Sequence, residues 1–228
     1  MSTRLISYSK PPEDLYVGND VQELIAYTAR VSNPSNQDNT ETSEKLLRYL
    51  IREKHWSPFE MVSACLEVTT TRDIARQLLR HRSFSFQEFS QRYADPTTDL
   101  NFKLKDARLQ DTKNRQNSIE LSDMMDSDQR VDLKYNWLQK QAEVINEAKK
   151  SYQWAIENGI AKEQARAVLP EGIMESRLYV NGTIRSWIHY IDLRSSNGTQ
   201  KEHIELARAC AKAIEPIFPM IMEFCHED

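Results

Sequence analysis

The densest chemistry in the chain lies between Gln77 and Tyr93, in the stretch QLLRHRSFSFQEFSQRY. On a helix, Gln77, Arg80 and His81 fall at i, i+3 and i+4 and share a face, while Ile74 and Leu78 can bury a neighbouring one. After Arg82 the pattern changes to a period of two, so Phe84, Phe86, Glu88, Ser90 and Arg92 would line one side of an extended segment. Residues two apart on a strand are separated by about 6.6–6.8 Å. Glu88, Ser90 and Arg92 would then offer an acceptor, a hydroxyl and a cation along roughly 13 Å. That spacing suits a ligand with a ring at one end and a phosphate at the other. Arg80, His81 and Arg82 beside aromatic side chains suit a flavin or nucleotide phosphate, and they suit RNA as well. A solvated helix end followed by an amphipathic strand gives the same pattern, because the helix dipole alone favours arginine there.

A second polar face lies in TIRSWIHYIDLR (183–194). Ile184, Trp187, Ile188 and Ile191 follow helical spacing and read as core. Arg185, His189 and Asp192 fall together elsewhere on the helix, either solvated or in contact with a ligand. Ser90 has no histidine–carboxylate base nearby in the pattern, so it reads as a binding hydroxyl and not as a nucleophile. Cys65, Cys210 and Cys225 form no CxxC pair and lack a cationic setting that would activate a thiol. The 5 glycines, at 18, 159, 172, 182 and 198, make neither GxGxxG nor GxxxxGK[ST]. Any nucleotide must therefore be held by side chains.

These residues need elements to position them. RLISYSK reads as a strand, and Asp20 can cap a helix through VQELIAYTARVS. A second helix covers roughly 41–54, HWSPFE breaks it, and VSACLEVTT alternates as a strand does. TRDIARQLLRHR reads as a third helix with SFSFQEFSQRY extended after it. Residues 95–128 are polar with little aliphatic periodicity and read as a long excursion or lid. Within them Arg115 and Gln116 of DTKNRQNS either close over a substrate or belong to a flexible surface. A long helix over 129–157 ends near Asn158-Gly159, a short one (AKEQARAVL) stops at Pro170, and SRLYVNGT reads as a strand. Two late helices follow, the second broken at Pro216. Strands and helices without regular alternation predict an α+β fold: a single domain over 1–228 with a twisted, mostly antiparallel sheet flanked by helices.

Composition sets outer limits. The chain has 228 residues, 39% hydrophobic and 28% charged, with a net charge of −4, which counts against a protein living on nucleic acid. No apolar run approaches the roughly 20 residues of a membrane span. The N-terminus lacks an apolar signal core, so a cytoplasmic protein, in a cell or an infected host, is expected.

RHRSFSFQEFS fits the pattern Arg-His-Arg, seven residues, Ser, and in this it resembles the flavin-dependent thymidylate synthases. HWSPFE (55–60) is similar to that family's His-x-[Ser/Thr]-Pro-Phe-Glu, EQARAVLP (163–170) to its Ala-Arg-x-x-Leu-Pro, and 183–194 to its late helix ending in an essential arginine. Gln77 before the signature and Arg92 after it agree too, and the segments keep the family's order. There are two departures. Met61 stands where many members carry histidine, and SSNGTQKEH follows Arg194 where many have Ala-Asp-x-His-Ala-Gln.

The resemblance implies a homotetramer with active sites at subunit interfaces, each holding FAD with dUMP stacked on the flavin. It implies methylation of dUMP to dTMP with 5,10-methylenetetrahydrofolate as donor and NADPH as reductant, without a metal. It assigns His55, Ser57, Glu60, Arg80, His81, Arg82, Ser83, Glu88, Thr183, Arg185 and His189 to FAD. It assigns Gln77, Arg80, Glu88, Phe89, Ser90, Gln91, Arg92, Arg166 and Arg194 to dUMP, with Arg194 the catalytic residue. The assignment is physically sensible: guanidinium forks match a phosphate better than lysine does, and a fixed cation stabilises charge that builds on a pyrimidine. The reading from another class is a non-enzymatic nucleotide- or RNA-binding module in which Phe84 and Phe86 form a stacking platform.

Overall fold

The computed structural model describes residues 1–15, 20–123 and 126–226. Its centre is a four-stranded antiparallel sheet in the order β1 (Ser2–Tyr8), β2 (Ser63–Thr71), β6 (Glu175–Thr183), β3 (Ser85–Glu88). β1 (Ser2–Tyr8) pairs with β2 (Ser63–Thr71), and the register shifts between Leu5 and Ser7. In β2 the residues Ala64, Leu66, Val68 and Thr70 are buried while Ser63, Cys65, Glu67 and Thr69 are half-exposed, the alternation expected of a sheet covered on one face.

α1 (Val21–Ala29) starts where Asp20 accepts from Gln22 N–H at 2.8 Å. It ends three residues short of the expected Ser32. Arg30 turns aside there, donating to the Asn39 carbonyl and, at 3.0 Å, to Thr42 Oγ1, and so ties the following loop to the helix end. α2 (Ser43–Arg52) packs on α1, and a 3-10 turn over Ser57–Glu60 leads into β2.

α3 (Arg72–Leu78) is shorter than TRDIARQLLRHR suggested. Its last turn tightens, with Arg80 N–H to Gln77 O and His81 N–H to Leu78 O, which draws His81 inward against the Tyr190 ring, 5.0 Å away. β3 is only Ser85–Glu88. Phe89 N–H still reaches Arg177 O, but the chain then turns at Ser90, whose carbonyl accepts from Tyr93 and Ala94 N–H. Gln91 swings inward to meet Met174 Sδ at 3.3 Å and is buried. The expected straight line of Glu88, Ser90 and Arg92 on one extended face is thus not formed.

The polar excursion carries secondary structure of its own: α4 (Pro96–Asp99) and a hairpin of β4 (Arg108–Gln110) and β5 (Ser118–Glu120). Residues 124 and 125 of it lie outside the described residues. α5 (Ser127–Glu157) has 31 residues, about 46 Å of helix. It starts at Asp126, which accepts from Asp128 and Gln129 N–H, and stops where Gly159 takes φ +75. α6 (Lys162–Ala165) and a 3-10 turn over Arg166–Val168 return the chain to β6 (Glu175–Thr183).

α7 (Ile184–Ser195) and α8 (Lys201–Ile214) close the covered face of the sheet. The predicted stripe Ile184, Trp187, Ile188 and Ile191 is buried, and the Trp187 indole N–H donates to Ala64 O at 3.0 Å. These side chains form the main core together with residues of β2, β6, α1 and α8. A smaller cluster of Tyr152, Ala155, Ala165, Leu169 and Met174 fixes α5 to α6. Among the described residues no helix is long and apolar enough to cross a membrane.

Candidate active site

The two ends of α3 and the two ends of α7 converge on three neighbouring side-chain groups. The first lies where the C-terminus of α3 meets the end of α7. Arg194 Nε–H donates to His81 Nε2 at 2.9 Å. His81 therefore accepts through Nε2 and carries its proton on Nδ1, a tautomer set by the bonding pattern. Burial, then the charges of Arg194 and Arg80, pull its pKa down to about 4. His203, wholly buried on α8, sits behind it with the rings 6.4 Å apart, and is pulled down to about 3 by burial and the charges of Arg194 and His81. Its Nδ1 is 3.2 Å from Gln77 Oε1. The Tyr190 hydroxyl and His203 Nε2 are both buried without a hydrogen-bond partner among the described residues.

The second group surrounds Glu88. Its Oε1 accepts from Ser176 Oγ at 2.8 Å and from Arg72 at 3.4 Å, with Arg76 at 4.0 Å from the other oxygen. Arg92 and Arg166 stand on the 160–170 side of this group. Arg92 pairs with Glu163 at 3.1 Å, and Arg166 Nε–H donates to the Glu163 carbonyl at 3.3 Å. Burial lowers the Arg72 pKa and the Arg166 charge adds to that lowering, so the two guanidiniums share one neighbourhood.

The third group covers the N-terminus of α7. Thr183 caps the helix by accepting from Ser186 N–H at 3.2 Å, and Ser186 Oγ donates to Ser83 O at 3.3 Å, which fastens the Arg82-Ser83 turn to the helix. Arg185 pairs with Glu60 while its Nε is buried with no partner among the described residues. His189 lies edge-on to Trp56 at 4.7 Å, and His55, Ser57, Arg82 and Ser83 are exposed around it. A buried, unpartnered Nε–H on a half-exposed guanidinium, with exposed imidazoles and a second arginine on the same face, fits an anionic cofactor with an extended polar edge.

The sequence-predicted residues therefore divide. Arg80, His81, Arg194 and Gln77 come together, Glu88 joins Arg72, and His55, Ser57, Glu60, Thr183, Arg185 and His189 share the α7 face. Arg92 and Arg166 both meet Glu163. Sequence reasoning passed over Arg72, Arg76, Gln200 and Glu202. Arg72 and Arg76 precede Gln77 on the same helix, so their i, i+4 spacing was the available signal.

Cys65 and Cys210 offer no nucleophile. Burial pushes up the pKa of both Cys65 and Cys210, and Cys210 is fully buried. Phe84, packed at 4.6 Å from Trp187, is also buried, so it cannot serve the stacking platform of the RNA-binding reading. Among the described residues no three His, Cys, Asp or Glu side chains group closely enough to hold a metal ion.

Fold and site together define an α+β protein that gathers guanidinium and imidazole groups. Residues 14–220 match the family model Thy1, the thymidylate synthase complementing protein. The chain is 49% identical over 221 residues to a probable flavin-dependent thymidylate synthase of Paramecium bursaria Chlorella virus 1, with 97% of each chain covered. It is 48% identical over 223 residues to the flavin-dependent thymidylate synthase of Synechocystis, again covering 97% of each. Among solved structures it resembles the UMP/dUMP methylase PolB of Streptomyces cacaoi bound with 5-Br dUMP, with a TM-score of 0.76, 26% identity, and 98% of this chain and 93% of that one covered. The chain belongs to the Thy1 family.

Proposed function

We propose that this chain is a flavin-dependent thymidylate synthase that methylates dUMP to dTMP, with 5,10-methylenetetrahydrofolate as the one-carbon donor, FAD as hydride carrier and NADPH as reductant. Close similarity to flavin-dependent thymidylate synthases over nearly the whole length supports the activity. One observation in the site carries the chemistry: Arg194 is held by a neutral imidazole. Uracil C5 is a poor nucleophile, and negative charge spreads over the pyrimidine as it attacks. A guanidinium whose partner is uncharged keeps its positive charge for that ring, and partial burial strengthens the effect. Arg194 does not act as a base, since it stays protonated throughout.

Gln77, Arg80, Glu88, Phe89, Ser90, Gln91, Arg92 and Arg166 are the proposed dUMP residues, with the arginines taking the phosphate. The proposed FAD residues are His55, Ser57, Glu60, Arg80, His81, Arg82, Ser83, Glu88, Thr183, Arg185 and His189. When bound, the flavin supplies the redox step that the side chains cannot. The protein's part is to hold and orient the nucleotide, to exclude water and to place the Arg194 charge.

The proposed assembly is a homotetramer in which neighbouring copies complete the site. α5 supports it. Val131 is 63% exposed, Tyr135 61% and Trp154 61%, large apolar side chains that a monomer would leave in water. The deciding experiment is the flavin absorbance of the purified protein, followed on NADPH addition with and without dUMP, together with dTMP formation. A colourless protein, or one that bleaches but never forms dTMP, would overturn the reading.

A further inference from the structure

Behind the Arg194–His81 pair runs a continuous line of side-chain hydrogen bonds. Arg108, on β4, donates to Glu202 Oε1. The other carboxylate oxygen of Glu202 accepts from Gln200 Nε2 at 2.9 Å. Gln200 Oε1 accepts from Gln77 Nε2 at 2.9 Å, and Gln77 Oε1 faces His203 Nδ1 at 3.2 Å. Amides have a donor end and an acceptor end that can exchange by a half-turn, and only their partners decide between the two.

Here the decision begins at Glu202. Burial acts to raise its pKa, but its own backbone N–H, Arg108 and Gln200 outweigh that and leave it lowered, so it is a carboxylate. A carboxylate can only accept. Gln200 must therefore turn its NH2 toward Glu202 and its oxygen toward Gln77. Gln77 must then turn its NH2 toward Gln200 and its oxygen toward His203, and His203 must carry its proton on Nδ1. Each link has one permitted direction.

We infer that Glu202 is a positioning residue which, through Gln200, fixes which way round the Gln77 carboxamide stands toward a bound nucleotide. The inference rests on the proposed role of Gln77 in binding dUMP. With two of its positions engaged, Gln77 keeps one N–H and one oxygen lone pair for a ligand. Reversing the amide exchanges those two places and sets donor against donor and acceptor against acceptor in the complex.

The substitution Glu202→Gln tests this because Arg108 still requires an acceptor. The new amide must give its oxygen to Arg108 and present its NH2 to Gln200. The whole line then reverses: Gln200 flips, Gln77 flips, and the His203 proton moves to Nε2. Arg108→Gln is the control, since it removes the ion pair to the hairpin but leaves the carboxylate in charge. For Glu202→Gln we expect the KM for dUMP to rise about tenfold with kcat within about threefold. Arg108→Gln should stay within about twofold of the parent in KM. Nitrogen NMR of protein labelled with 15N-histidine should show the protonated His203 nitrogen change from Nδ1 to Nε2 in Glu202→Gln alone. Equal KM changes in the two variants would mean that hairpin anchoring is the cause, and would overturn the inference. So would an unmoved His203 proton. The NMR arm needs no turnover, and failure of the parent protein to make dTMP would count against the enzymatic reading and not against the line of bonds.

Discussion

Arg194 and His81, 113 residues apart in sequence, meet through a 2.9 Å hydrogen bond in which the guanidinium donates to Nε2 of a neutral imidazole. Pairing with aspartate would have fixed the arginine equally well, but it would also have cancelled its charge. Burial first, and then the charges of Arg194 and Arg80, hold the His81 pKa down, so the guanidinium faces an uncharged partner.

Replacing Arg194 by alanine should lower dTMP formation by about a thousandfold. Bound flavin should remain, because the Glu60–Arg185 group lies at the other end of α7. Lysine should not restore turnover, since a point charge on a flexible stem cannot reproduce the Nε–H donation to His81. Tritium release from 5-labelled dUMP, read beside the flavin absorbance, checks both. Parental turnover in Arg194→Ala would remove it from the mechanism.

The two buried imidazoles also set a pH dependence of stability. Their folded-state pKa values lie at about 4 for His81 and about 3 for His203, below the ordinary histidine value of about 6.5. Unfolded chains therefore take up these protons first. Stability is intact above about pH 6.5, declines as pH falls below that, and levels only below the folded-state values. Urea midpoints at pH 7.5, 6 and 5 should fall in that order. His203→Asn should lower the midpoint at pH 7.5 and make its decline with pH shallower. An identical decline in the variant would show that the buried imidazole is not responsible.

Much of this fold could be read in advance, for identifiable reasons. Asp20 announced α1 through its cap, β2 and β6 alternate cleanly because one face is covered, and Trp187 with its isoleucine neighbours marked the buried side of α7. What stayed hidden rests on long-range pairing. The 108–120 hairpin has strands of only three residues and is fastened by Arg108–Glu202 and Lys201–Glu120, which leave no periodicity in the chain. β3 stops early because Gln91 finds Met174, 83 positions away. In the site, the residue types were legible but their partners were not. Nothing local to QLLRHR says that His81 would meet Arg194, or that Gln77 would meet Gln200.

Glu60→Gln should weaken flavin retention with little effect on folding. Glu60 and Arg185 are 41% and 40% exposed, so their ion pair contributes at most about 1 kcal/mol to stability. Its value lies in aiming the Arg185 guanidinium, whose Nε is otherwise unpartnered among the described residues. We expect the variant to purify with several-fold less flavin and an unfolding temperature within about 2 °C of the parent. Full flavin content would place the cofactor elsewhere.

Ser90→Ala should retain measurable turnover. The Ser90 backbone carbonyl makes the turn that re-routes the chain after β3, and alanine preserves that carbonyl. If the hydroxyl only binds substrate, its loss raises the KM for dUMP by about tenfold. Complete loss of activity with dUMP affinity unchanged would make Ser90 a nucleophile after all.

Gly182→Ala tests how the sheet holds the catalytic turn. Gly182 faces Ala64 across the β2–β6 pair, and an added Cβ would lie within the Phe84 ring. That ring has nowhere to retreat, with Trp187 at 4.6 Å and Tyr190 at 5.8 Å, both buried. The strain must be relieved by moving the Phe84 backbone, whose N–H is bonded to the His81 carbonyl at 3.2 Å. Displacing that segment draws His81 away from Arg194. An overpacked core of this kind costs about 1–3 kcal/mol, or an unfolding temperature lower by about 3–10 °C in a chain of this size. Turnover and flavin content should both fall, because the proposed flavin residues Arg80, His81, Arg82 and Ser83 lie on the displaced segment and Ser83 is tied to Ser186 of α7. The double substitution Gly182→Ala with Phe84→Leu makes room for the methyl group and should recover most of the unfolding temperature. Parental stability in Gly182→Ala alone would mean that the glycine is not what seats Phe84, and the link between the sheet and the Arg194–His81 bond would have to be abandoned.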